Sequence, residues 1–76
     1  MGTSKVYFTD LRAKSGDNLL NKLQRLIKTA GIGEIDFQDK YVAIKMHFGE
    51  PGNLAFLRPN YAKALADVVK ELGGKP

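Results

Sequence analysis

Two stretches of the chain carry apolar residues at the spacing of an amphipathic helix. The first has them at 19, 20, 23, 26, 27 and 30 and predicts a helix over about 17–30. The second has them at 61, 65, 68, 69 and 72 and predicts a helix over about 59–72. Ser15 or Asp17 is a suitable N-cap for the first helix, and Gly31 fits its C-terminal end. Pro59 fits the first position of the second helix.

Two further stretches are rich in β-forming residues and predict strands, at about 5–11 and 41–48. The second begins with four consecutive apolar residues, as in a strand that is covered on both faces. The order β-α-β-α favours an α/β fold with a small parallel two-stranded sheet and a right-handed crossover. The length of 76 residues allows one domain, so we expect a single α/β subdomain over 1–76.

A sheet of two parallel strands is poorly covered, because parallel strands are normally buried on both faces. The final residues, Glu-Leu-Gly-Gly-Lys-Pro, resemble a helix exit that leads into another strand. We therefore expect a fragment of a larger α/β domain, or a half that pairs with a second copy. The expected partner is accordingly the rest of a longer protein or another copy of the chain.

Composition narrows the chemistry of the chain. The chain has no cysteine, so it forms no disulfide, thiolate zinc site or iron–sulfur ligand. It has one histidine, so it forms no multi-histidine metal site. We therefore expect no cofactor in this chain. The net charge of +4 favours a small anionic ligand, although 8 acidic residues are mixed among 12 basic ones. No apolar stretch approaches the length of a membrane span, so a cytoplasmic protein without a membrane partner is expected.

Polar residues gather where the second predicted strand ends, in the stretch Lys-Met-His-Phe-Gly-Glu-Pro-Gly-Asn at 45–53. In open α/β sheets, ligands bind at the carboxyl ends of the strands, beside the N-termini of the following helices. Lys45 and His47 share one face of the strand, since side chains alternate. The candidate ligand-binding residues are Lys45, His47, Gly49, Glu50, Gly52, Asn53 and Arg58, and no catalytic residue is assigned.

Each of these features also has a structural interpretation. His47 can be a strand-end histidine with one hydrogen bond, a ligand or proton-transfer group, or a metal ligand. The segment Gly-Glu-Pro-Gly is first of all a turn. Lys22, Arg25 and Lys28 follow one helix at a spacing of three, which favours a solvated face over a nucleic-acid stripe because no aromatic residues interleave with them.

The stretches SKVYFTDLR, VAIKMHFGEPGNLAFLRP and YAKALADVVKELGGKP together resemble the N-terminal portion of the domain-of-unknown-function family 362. Many members of that family are described as iron–sulfur or ferredoxin-like proteins. The resemblance spans 4–76 and is most specific at 45–50, at Gly52-Asn53 and at Arg58-Pro59. It implies that a 4Fe–4S cluster is bound elsewhere in a full-length relative, since this chain lacks cysteine.

Three functional hypotheses follow. The first is an N-terminal segment of an iron–sulfur-associated protein, with an anion or small-ligand site at the strand ends and no catalysis by this chain alone. The second is a structural module that self-associates through a sheet edge. The third is a small basic module that binds nucleic acid, which the mixed charges make the least favoured.

Overall fold

A computed structural model describes residues 2–76, and within them the regular structure is helical. Helix α1 spans Leu19–Ala30, a 3-10 helix spans Ile32–Glu34 and helix α2 spans Pro59–Glu71. The two α-helices lie inside the ranges that the apolar spacing predicts, 17–30 and 59–72. Neither has the length and the apolar composition that crossing a bilayer requires.

Helix α1 is capped at both ends, but not at its start by the residues expected. The side chain of Asn18 accepts a hydrogen bond from the Asn21 backbone N–H at 3.0 Å, and the Asn21 side chain accepts from the Asn18 N–H. This reciprocal pair is a capping box. At the other end Gly31 has φ +105, and its N–H is donated to the last carbonyls of the helix.

The predicted N-caps Ser15 and Asp17 were wrong because a turn occupies them. Lys14 and Asp17 exchange two backbone hydrogen bonds, of 3.0 and 3.3 Å, around Ser15 and Gly16. The Asp17 carboxylate accepts from both terminal nitrogens of Arg25, at 3.0 and 3.1 Å. It is therefore turned along the helix and away from its first N–H groups.

The two α-helices pack against each other and hold the buried core. Among residues 2–76 the buried apolar residues are Ala64, Val68 and Val69, all on α2. The Gln24 side-chain amide crosses from α1 and donates to the Ala64 carbonyl at 2.9 Å. Lys28 of α1 forms an ion pair with Glu71 of α2 at 3.1 Å.

The predicted α/β fold was wrong, because residues 2–76 contain no strand and no sheet. Neither the predicted strand 5–11 nor 41–48 forms, so there is no parallel two-stranded sheet and no right-handed crossover. Within the described residues, no backbone hydrogen bond joins 5–11 to 41–48. The physical reason is that two parallel strands with an uncovered face gain too little burial to hold a ladder.

Segment 41–48 nevertheless keeps the alternation of an extended chain. Val42, Ile44 and Met46 are half-buried, whereas the odd-numbered residues between them are exposed. Its first residue, Tyr41, forms an isolated parallel bridge with Lys75. The Val42 N–H donates to the Lys75 carbonyl at 2.8 Å, and the Lys75 N–H donates to the Lys40 carbonyl at 2.8 Å.

Gly74 lies where this segment meets α2. A Cβ at Gly74 would lie 2.6 Å from a Val69 methyl group, 3.1 Å from the Cβ of Phe37 and 3.2 Å from a Val42 methyl group. These distances are too short for an added methyl group, so only glycine fits. The close approach brings the end of the chain against the inner side of segment 41–48.

Candidate functional site

Lys45 and His47 lie on the exposed side of segment 41–48, together with Tyr41 and Ala43. The alternation of exposure places their side chains on one side and those of Val42, Ile44 and Met46 on the other. Within residues 2–76, neither Lys45 nor His47 forms an ion pair. Both polar groups are therefore available to a ligand or to a second polypeptide.

The backbone of this segment is unpaired over most of its length. Within the described part of the chain, the N–H and C=O groups of 43–49 make no backbone hydrogen bond. Backbone polar groups are strong donors and acceptors that native structures normally satisfy. Unpaired groups beside exposed apolar side chains are the features of an open strand edge.

The residues after the segment form a tight turn. The Asn53 N–H donates to the Glu50 carbonyl at 3.0 Å, with Pro51 second and Gly52 third in the turn. Gly52 has φ +83, which a type II turn requires at that position. The Asn53 side chain then accepts from the Ala55 N–H at 2.8 Å. Glu50 and Asn53 thus have structural roles in the turn, through the Glu50 backbone and the Asn53 side chain.

Gly49 joins the segment to this turn and also has a positive φ, of +112. A Cβ there would lie 3.3 Å from the Phe56 ring, so the ring covers the backbone of Gly49. This contact folds residues 49–56 back on themselves. The glycine is used for the turn and for the ring contact, and the ring occupies the side from which a ligand would approach its Cα.

Arg58 stands at the N-cap of α2 and its side chain makes no capping hydrogen bond. It borders a shallow groove of about 350 Å³ with the loop before α1 and the first turn of α2. The residues that line this groove are Ala13, Asn18, Leu19, Leu20, Arg58, Asn60 and Tyr61. The groove therefore brings together the start of both α-helices.

Lys45 is exposed, yet it also borders a different, apolar cavity of about 170 Å³ that residues of α1, α2 and segment 41–48 line. Its other walls are Leu23, Ile27, Met46, Leu57, Tyr61, Ala62 and Leu65. The only residue common to this cavity and to the Arg58 groove is Tyr61. The other five predicted site residues, His47, Gly49, Glu50, Gly52 and Asn53, line neither space.

The predicted residues are therefore spread along the surface and do not converge on one pocket. No set of three or more His, Cys, Asp or Glu side chains within residues 2–76 is arranged to hold a metal ion. Glu50 lies in an exposed turn, and His47 is exposed on the side of segment 41–48 that faces away from the helices. Their arrangement forms no recognisable acid–base pair.

The cations along α1 are held by acidic or carbonyl partners. Lys22 donates to the Asp10 carboxylate at 2.5 Å and to the Arg12 carbonyl at 2.6 Å, and its side chain is only 12% exposed. Arg25 pairs with Asp17. The Lys22 hydrogen bond holds the pKa of Asp10 below its ordinary value, and the Arg25 hydrogen bond does the same to the pKa of Asp17.

Lys28, the third cation of this row, pairs with Glu71 of α2. Lys22, Arg25 and Lys28, the three cations spaced along α1, are thus each paired with a carboxylate. A stripe that binds nucleic-acid phosphates needs cations that are free to displace counterions. This geometry disfavours α1 as such a stripe.

The sequence interpretation missed how much apolar surface stays uncovered. Within residues 2–76, the exposed fractions reach 86% at Val6, 83% at Phe8, 87% at Tyr41, 77% at Phe48 and 91% at Leu54. Four of these five residues lie in the two β-rich stretches, whose predicted sheet was expected to need a partner to cover it. Exposed apolar side chains mark an interaction surface where they are contiguous.

Comparison with known proteins adds no relative: no family model, curated protein or solved structure matches the chain.

Proposed function

We propose that this chain is a polypeptide-binding module, in which segment 41–48 adds as a strand to a partner polypeptide. The observation that carries the proposal is the unpaired backbone of 43–49 combined with period-two exposure of the side chains. Strand addition satisfies such groups with backbone hydrogen bonds, and the alternate side chains supply specificity.

Helices α1 and α2 serve as the support for that strand. They cover the inner side of the segment, where Ile44 and Met46 are half-buried, and leave the other side to the partner. Met46 reaches the apolar cavity between the helices. A strand that is anchored on one face loses less conformational entropy on pairing than a free peptide does.

A synthetic strand peptide tests the proposal. Its sequence is Thr-Val-Glu-Val-Glu-Val-Thr, with acidic positions that complement Lys45 and His47 on the exposed side of the segment. Titration into the isotope-labelled chain should shift the backbone amide signals of 41–48 in NMR spectra. The matched control is the same peptide with N-methylated backbone amides, which keeps the side chains and removes the donors.

The expected result is saturable shifts at 41–48 with the unmodified peptide and none with the methylated one. In a sample that light scattering shows to be monomeric, an absence of shifts at about 1 mM peptide would contradict the proposal, because strand addition weaker than this is not specific. Equal shifts with both peptides would also contradict it, because backbone pairing would then play no part.

The iron–sulfur-associated role and the small anionic ligand that the sequence suggested stay predictions. Lys45 and Arg58 border two different surface cavities. No single pocket therefore favours either of these roles. More of the described residues support polypeptide association than support these two roles. Polypeptide association also needs neither a ligand pocket nor a cofactor.

A further inference from the structure

The chain exposes more surface than a compact monomer of its mass does. Its accessible surface is 6445 Å², whereas a compact monomer of 8.4 kDa exposes about 4,600 Å². The radius of gyration is 14.4 Å, against about 11 Å for a compact domain of this length. Roughly 1,800 Å² of each copy is therefore in excess of what a compact fold leaves exposed.

The hydrogen bonds at the start of segment 41–48 decide which of its edges is open. The Val42 N–H and the Lys40 carbonyl point toward Lys75. Along an extended chain, the backbone groups of alternate residues point to opposite edges. The groups of Tyr41, Ala43, Lys45 and His47 therefore point to the other edge, and none of them has a backbone partner within residues 2–76.

We propose that a second copy of this chain occupies that edge, antiparallel and with the two-fold axis at Ile44. This inference rests on the proposed function and names its partner. In this register Ala43 pairs with Lys45 of the second copy, and Tyr41 pairs with its His47. Each of these pairs exchanges two backbone hydrogen bonds, because all four residues present their N–H and C=O groups to the open edge.

Charge disfavours one of the two neighbouring registers. A slip that moves the axis to Lys45 places that lysine opposite itself, and like charges directly opposite each other destabilise a strand pair. With the axis at Ile44, Lys45 faces the small neutral Ala43. Val42, Ile44 and Met46 of both copies then lie on one face of the pair, so that the helices of both copies cover the same side.

The area is also of the size that a stable dimer buries. Two copies carry roughly 3,600 Å² of excess surface, and obligate homodimers bury roughly 2,000–5,000 Å² in total. The side chains of Tyr41 and Phe48 lie at the two ends of the paired segment, and they are 87% and 77% exposed in the single chain. Antiparallel pairing brings both ends of each segment against the second copy.

Light scattering and cysteine cross-linking test the pairing together. Wild-type chain should have twice the mass of 8.4 kDa at micromolar concentration. Because the chain has no cysteine, Ile44→Cys introduces a single thiol at the two-fold axis. Residues at a non-hydrogen-bonded antiparallel position have Cα atoms about 4.5 Å apart, within the range of a disulfide. Thr29→Cys, exposed on α1, is the matched control.

The expected result is rapid formation of a disulfide dimer by Ile44→Cys under mild oxidation, with Thr29→Cys remaining largely monomeric on a reducing-agent-free gel. Lys45→Pro removes one backbone donor from the edge and should give a monomer, whereas Lys45→Ala should remain a dimer. Circular dichroism checks that each variant retains its helical content. If Lys45→Pro does not fold, the cross-linking of Ile44→Cys still tests the pairing.

A monomeric wild-type chain at millimolar concentration would overturn the inference, and so would open-ended assemblies or equal cross-linking at 29 and 44. A monomer that still binds the strand peptide overturns only the identity of the partner. A monomer that binds no strand peptide overturns both the inference and the proposed function.

Discussion

Lys22 illustrates what a single side chain contributes here. Its ammonium group donates to the Asp10 carboxylate, the Asp10 carbonyl and the Arg12 carbonyl, all within 3 Å. These bonds hold the loop before α1 against the helix, and they leave the lysine almost covered. From the sequence alone, Lys22 was one of three cations on a solvated face. Its burial depends on partners that lie 10 and 12 residues away.

Acid should weaken the folded chain through these ion pairs. The pKa of Asp10 is lowered by Lys22, that of Asp17 by Arg25 and that of Asp36 by Lys40, each from an ordinary value of 3.8. In the unfolded state these carboxylates protonate first, so the stabilisation is complete well above pH 4 and is lost as pH falls through the lower folded-state pKa values.

We therefore expect the urea midpoint to fall as the pH drops below the ordinary carboxyl pKa of 3.8. The variant Asp17→Asn should show a shallower decline than wild type at low ionic strength. High salt should reduce the difference, because exposed pairs are screened. A decline of equal slope in both proteins would show that the Asp17–Arg25 pair contributes no pH dependence.

The replacement Gly74→Ala should destabilise the chain by about 1–3 kcal/mol. The added methyl group would lie 2.6 Å from Val69, a fully buried residue, with Phe37 and Val42 closing the other sides. Gly33→Ala is the matched control, since nothing lies within 4 Å of its added Cβ. Urea unfolding of both variants measures the difference, and equal midpoints would contradict this packing.

At the scale of elements, both helices follow from local sequence and the strands do not. The apolar spacing and the terminal Gly31 and Pro59 specify α1 and α2 without reference to the rest of the chain. The residues at 41–48 carry a strand pattern equally well. A strand, however, exists only with a hydrogen-bonded neighbour, and within residues 2–76 the only bridge made by segment 41–48 is the one between Tyr41 and Lys75.

The N-cap of α1 can be tested by substitution. Replacing Asn18 by Ala should destabilise the chain by about 0.5–2 kcal/mol, because the capping box with Asn21 is lost. Ser15→Ala should have little effect, since Ser15 lies within the preceding turn. Thermal unfolding followed by circular dichroism measures both. A larger effect at Ser15 than at Asn18 would place the start of α1 earlier.

On the scale of the whole molecule, surface area is the deciding quantity. Three buried residues within 2–76 are a small core, and large side chains such as Phe8 and Leu54 remain uncovered. Short chains bury a smaller fraction of their surface than long ones do. Association with another polypeptide is the direct way to cover this surface.

The unfolding midpoint should accordingly rise with chain concentration, since a dimer is stabilised by mass action. Two copies that each carry +4 repel one another, so added salt should also raise the midpoint of the wild-type chain. Scanning calorimetry over a hundredfold range of chain concentration, repeated at low and at high salt, measures both effects. A midpoint independent of concentration would contradict association of the folded chain.

Sequence alone was sufficient for the two helices, for the turn around Pro51 and Gly52 and for the side on which Lys45 and His47 lie. These features depend on residues within a few positions of one another. Only the tertiary structure decided that Asn18 caps α1, that Lys22 is covered and that segment 41–48 lacks a neighbouring strand. The last two depend on contacts between distant parts of the chain, which form only where enough surface is buried to offset the entropy of ordering them. The Asn18 cap is instead a local pair of hydrogen bonds with Asn21, and Ser15 and Asp17 do not cap the helix because the Lys14–Asp17 turn contains them.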